Sequence, residues 1–180
     1  GQHGDALRFE KRIRFPGLES SVREIPYYEQ ITDFTCGSAS LMMAMAALDS
    51  EYLPSRQEEL QIWREATTIF MTSGHGGCSP HGLAVAAASR GFEVSVYSNS
   101  DAVPFLEGVR DEAKKEVMRL VHEDFLAKLE ASHAQVVQRV LSLDELRTSM
   151  DQGVVPVVLI SEYRLTHKKA PHWVVLTGWD

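Results

Sequence analysis

Apolar and polar residues alternate from Leu7 through Phe9 and Ile13 to Phe15, the period of a half-buried strand, and Pro16-Gly17 closes the run with a turn. Pro26 keeps the next segment, Ile25-Pro26-Tyr27-Tyr28, extended. After the loop Thr32-Asp33-Phe34-Thr35 the pattern changes. Cys36 to Leu48 is rich in Ala, Met and Leu, lacks Pro and has Gly only at its start, which predicts a buried helix. Ser55 with Glu58 three residues on forms a capping box for a second helix, whose apolar side is Leu60, Ile62 and Trp63. Ser79 caps a third, Pro80 takes its first position and Gly91 ends it. Phe92 to Tyr97 alternates as a strand.

The charged, periodic stretch from Pro104 to about Leu129 reads as one or two surface helices, and His133 to Val140 fits a short strand or more helix equally well. Ser142 and Glu145 cap a helix that ends near Gly153. Val154 to Ile160 and His172 to Thr177 are β-rich apolar runs joined by the polar loop around Thr166-His167-Lys168-Lys169. Helices leading and strands gathering at the end predict an α+β fold. With 180 residues, no repeat and no linker, we expect one domain over 1–180, with 1–21 as a leading strand and arm.

Composition narrows the partners. A hydrophobic share of 44% with 24% charged residues is that of a globular domain. The net charge of −7 leaves no broad basic footprint for nucleic acid. Arg8, Lys11, Arg12 and Arg14 alternate with apolar residues as the polar face of a strand. No apolar stretch reaches the length of a membrane span, and Gly1-Gln2-His3-Gly4 reads as a ragged terminus rather than a leader. Two distant cysteines make no disulfide framework. The expectation is a soluble chain of open compartment, the cytoplasm favoured.

The chemistry begins at Cys36. A thiol attacks a carbonyl as the thiolate, and a helix start lowers its pKa through unpaired N–H groups and partial positive charge. Gly37 beside it leaves the backbone open to a substrate. Position alone leaves a buried, inert cysteine equally open. Gln30, six residues earlier across a short loop, can bring its amide beside the thiol as one oxyanion donor, the Cys36 N–H being the other. His172 opens the last apolar strand, where a histidine can face a helix start and act as base and then acid. Each taken singly has a bland reading, a solvated glutamine or an ordinary hydrogen-bonded histidine.

Together the elements resemble a known family. The segment Val22 to Ala44 contains IPYYEQITDFTCGSASLMMA, Gly77 to Phe92 reads GCSPHGLAVAAASRGF, and Pro156 to Gly178 contains PVVLIS and PHWVVLTG. These resemble the papain-like cysteine peptidases that trim bacteriocin leaders after a double glycine, and are nearer to their free-standing peptidase-like relatives in bacteria. The resemblance implies a papain-like α+β domain, its cysteine helix packed on a mostly antiparallel sheet. It implies catalytic roles for Gln30, Cys36 and His172, a peptide or protein substrate, and no cofactor. Gly37, Gly77 and Trp173 are the residues we assign to substrate contact. The reaction expected is thiolate attack on a peptide or amide carbonyl through an acyl-enzyme. The alternatives are transfer of that acyl group to an amine or thiol, and an inactive peptide-binding module.

The chain departs from the family at the residue that orients the histidine. An extended strand puts Asp180 about 26 Å from His172, too far for that role. Three options stay open: an orienter beyond the segment, an upstream carboxylate, or a dyad. A rival site lies in the loop His75-Gly76-Gly77-Cys78-Ser79-Pro80-His81, where a second cysteine stands at a helix start between two histidines. It offers three zinc ligands of suitable type but no fourth nearby, no common finger spacing and no upstream glutamine, so a metal-binding protein is kept only as a minor alternative and no metal is assigned. We read it as a loop lining the substrate cleft near Cys36, or as a purely structural turn.

Overall fold

Strand β1 (Ala6–Lys11) begins the order, followed by helices α1 (Cys36–Leu48), α2 (Arg56–Ala66) and α3 (Pro80–Ser89) and strand β2 (Phe92–Tyr97). Then come α4 (Glu112–Ala131), β3 (Gln135–Val137), α5 (Leu143–Asp151), β4 (Val155–Ser161) and β5 (Pro171–Val175). The structure is a computed structural model that describes residues 6–11, 27–69, 76–98, 106, 109–161 and 171–175, with only the backbone of 6–11, 155–161 and 171–175. The turn Pro16-Gly17, the Ile25-Pro26 pair and the Thr166–Lys169 loop lie outside the described residues. No helix among them is long and apolar enough to cross a membrane.

The strands form one sheet in the order β3-β2-β1-β4-β5. β1 is antiparallel to β2, Ala6 facing Tyr97 and Lys11 facing Phe92, and antiparallel to β4, with Ala6 facing Val158. β4 and β5 are also antiparallel. β2 and β3 run parallel, as the intervening α4 allows. Helices and strands are therefore mixed along the chain. The leading strand stands in the middle of the sheet, not with the later strands at one end.

α1 is apolar on every side, and most of its 13 residues are buried, Leu41, Met42 and Met45 completely. It packs against α2, α3, β1, β4 and β5. α2 and α3 are tied by Arg90, whose guanidinium donates to Glu58 at 2.9 Å and to Glu65 at 2.8 Å. That bond holds the Glu65 carboxyl below the usual carboxylate range. α4 is a single helix because its buried residues, Met118, His122, Phe125 and Leu129, form one continuous stripe. It ends at Ala131, and just beyond it His133, with a positive φ of 60°, lies in the left-handed region before β3.

α3 meets α2 and α4 around Gly82 and His81. A Cβ at Gly82 would lie 2.6 Å from the Ala66 carbonyl oxygen and 2.9 Å from Phe125 Cζ, so only glycine lets these helices approach. His81 (4% exposed) and His122 (7%) meet edge to face with ring centroids 4.7 Å apart. Neither Nδ1 has a hydrogen-bond partner among the described residues. Burial, with His122 adding to it, pushes the His81 imidazole from its ordinary 6.5 down to about 4, and burial lowers His122 too.

Two outcomes are expected. Gly82→Ala should lower the free energy of unfolding by about 2 kcal/mol, read from urea denaturation, because the contacts it forces are with backbone. The histidine pair should make the protein acid-sensitive. A group whose folded pKa is depressed contributes stability that is present above its unfolded pKa and lost as pH falls toward the folded value. Unfolding free energy should thus drop by on the order of 2 kcal/mol from pH 6.5 to about 4. The His81→Leu, His122→Leu double variant should flatten that fall.

Candidate active site

Among the described residues, every helix but one has a side-chain cap at its start. Ser55 accepts from Glu58 N, Ser79 from His81 N and Gly82 N, Asp111 from Ala113 N and Lys114 N, and Ser142 from Glu145 N. α1 is the exception. Thr35 stands at its N-cap and makes no capping bond, and its first turn contains no acidic residue. The Thr35 hydroxyl points instead to Glu59 Oε2, 2.5 Å away, and shares a 2.8 Å hydrogen bond with Thr32 Oγ1. Thr35, its hydroxyl turned to Glu59, thus does not serve as the side-chain cap of α1.

Glu59 organises the loop that delivers Cys36. It lies on the buried side of α2, is 0% exposed, and receives three donors from that loop. Tyr28 Oη donates to Oε1 at 2.7 Å, and Ile31 N and Thr35 Oγ1 donate to Oε2 at 2.8 and 2.5 Å. Burial and this bond push the Tyr28 phenol up to about 12. Within the loop, Gln30 Nε2 donates to the Thr32 carbonyl at 2.7 Å, so the half-buried amide is held against the chain leading into Cys36. Sequence reasoning missed Glu59. The signal was there: Glu59, Ile62 and Ala66 form one helical stripe, and a charge on an apolar stripe asks for buried partners.

His172 lies on β5, opposite Ile160 of β4, and Trp173 lies opposite Leu159. α1 packs against β5 and β4. The helix that starts at Cys36 and the strand that bears His172, over 130 residues apart in sequence, are thereby neighbours in the fold. Asp180 lies outside the described residues, as does His75.

The rival cysteine sits in a different environment. Cys78 is 2% exposed and bridges to Thr67 across a short antiparallel contact. Its Sγ is 3.7 Å from Ser38 Oγ, in the first turn of α1. Burial pushes the Cys78 thiol up to about 12, against the opposing effect of the Ser38 hydrogen bond, with Cys36 close enough to add to the rise. The loop around it is fixed to the end of α2: Thr68 N donates to the Gly77 carbonyl and Ser79 N to the Ala66 carbonyl, and Trp63 Nε1 donates to the Gly76 carbonyl. A Cβ at Gly76 would come within 2.8 Å of the Ile69 backbone, whereas one at Gly77 would meet nothing within 4 Å. Cys36 and Cys78 form no disulfide. Among the described residues no three His, Cys, Asp or Glu side chains are placed to hold a metal ion.

A family model described as "Peptidase_C39 like family" matches residues 25–180, well over half of the chain. Comparison with curated proteins and with solved structures returns no match.

The two cysteines should separate in reactivity. Iodoacetamide near neutral pH should modify Cys36 at least tenfold faster than Cys78, because the thiol pushed up to about 12 has almost no thiolate there. Peptide mapping by mass spectrometry against time reads this directly, and earlier labelling of Cys78 would reverse the assignment of nucleophile.

Proposed function

The chain belongs to the Peptidase C39-like family, and from that premise we propose that it is a papain-like cysteine hydrolase acting on peptide or amide bonds. The observation that carries this reading is that Cys36 opens helix α1 and that α1 packs against β5, the strand that bears His172. His172 takes the Cys36 proton and the sulfur attacks the carbonyl carbon. The C–S bond forms as the carbonyl π pair moves onto oxygen. The Gln30 amide and the Cys36 N–H stabilise that oxyanion. On collapse the C–N bond breaks and His172 returns its proton to the departing amine. Water, deprotonated by the same imidazole, then releases the acyl group and regenerates the thiol.

In this reading the substrate is a peptide or protein segment, and Gly37, Gly77 and Trp173 contact it. The open space beside Gly77 supports that role, since a substrate backbone can approach there. Double-glycine leaders are the first substrates to try, on the strength of the family. Gln30 is held to Thr32 through one amide hydrogen, which leaves the second for the oxyanion.

Digestion of a peptide library followed by mass spectrometry tests the proposal. Cys36→Ala should abolish cleavage, and Gln30→Ala should lower kcat by roughly 10²-fold with KM little changed. Cleavage that survives Cys36→Ala would overturn the mechanism. Unchanged turnover in Gln30→Ala would remove Gln30 from it.

A further inference from the structure

The geometry points to Glu59 as a positioning residue for the proposed reaction: its buried carboxylate fixes the spacing between Gln30 and Cys36, the two oxyanion donors. The inference rests on the reading of those residues given above. One oxygen, Oε2, accepts both from Ile31 N at 2.8 Å and from Thr35 Oγ1 at 2.5 Å. Ile31 directly follows Gln30, and Thr35 directly precedes Cys36. A single atom therefore grips the chain next to each donor. The second oxygen takes Tyr28 Oη at 2.7 Å and closes the grip on the near side of Gln30.

A residue that only filled space here would be apolar, as Ile62 and Ala66 are on the same stripe. A fully buried carboxylate carries a heavy desolvation penalty, which three convergent donors offset. Nor does a negative charge near Cys36 help form a thiolate. What the carboxylate adds is geometry. Its oxygens accept from N–H and O–H groups, and accepting from Thr35 turns that hydroxyl away from the α1 N–H groups that it would otherwise cap.

The test compares two reactions of the same sulfur. Iodoacetamide alkylates it by displacing iodide, with no oxyanion. p-Nitrophenyl acetate acylates it: the C–S bond forms, the carbonyl oxygen carries the charge, and p-nitrophenolate leaves as the C–O bond breaks. The ratio of the acylation rate to the alkylation rate at Cys36 reports the oxyanion donors independently of how much thiolate is present. The wild-type ratio should exceed that of glutathione. Glu59→Ala should lower it about tenfold or more. Glu59→Gln should stay within about threefold of wild type, since its amide oxygen can accept from Ile31 and Thr35 while its NH₂ donates to Tyr28 Oη.

An unchanged ratio in folded Glu59→Ala overturns the inference, and so does an equal fall in both variants. A wild-type ratio no higher than that of glutathione would instead sink the catalytic reading itself, and the role of Glu59 with it. Should Glu59→Ala fail to fold by circular dichroism, Tyr28→Phe, which removes one of the three donors, decides. A lowered ratio supports the grip and an unchanged one overturns it.

Discussion

The buried carboxylate of Glu59 is the constraint on which the site depends. A carboxylate removed from water is tolerated only where donors replace its hydration, and here they come from one loop, 28–35. The requirement acts in both directions. α2 must be held firmly enough to present the acceptor, which its Ser55 cap and the Arg90 bridge to α3 ensure. The loop must in turn bend back over α2 to supply its hydroxyls and N–H. That bend ends at Thr35, and the next residue is Cys36.

α1 can serve as both core and site because its two ends do different work. From Leu41 onward it is buried among α2, α3 and the sheet, and this fixes its axis. Its first turn meets the loop of Cys78 through Ser38. The thiol of Cys78 is sealed against Ser38 and raised by burial, and Cys36 is half-buried at the helix tip. Two cysteines at helix starts thus differ through packing, because a helix terminus lowers a thiol pKa only where burial does not outweigh it.

Much of this was legible in the chain. The caps at Ser55, Ser79 and Ser142 mark helix starts through short-range chemistry that needs no tertiary partner, and α1 begins and ends where its composition changes. The unity of α4 was harder to see, since its stripe includes His122, a polar residue whose burial depends on meeting His81. The place of β1 was not legible at all. Alternation reveals that a strand has two faces but says nothing of which strands flank it. For the proposed site, type and spacing single out Gln30, Cys36 and His172 as candidates. They do not single out Glu59, because its meaning lies in donors 24 to 31 residues away.

The position of β1 also sets an order of assembly. Ala6 pairs with Val158, and among the described residues β5 joins the sheet through β4, so the His172 strand enters a sheet whose β1–β4 pairing spans most of the chain. α1, α2 and α3 pack through much shorter separations and are free to form first. On this topology the thiol exists, sited on a finished helix, well before the strand of its proposed base arrives. Under the proposed mechanism, the sheet that brings in the His172 strand would be the last part of the site to be completed.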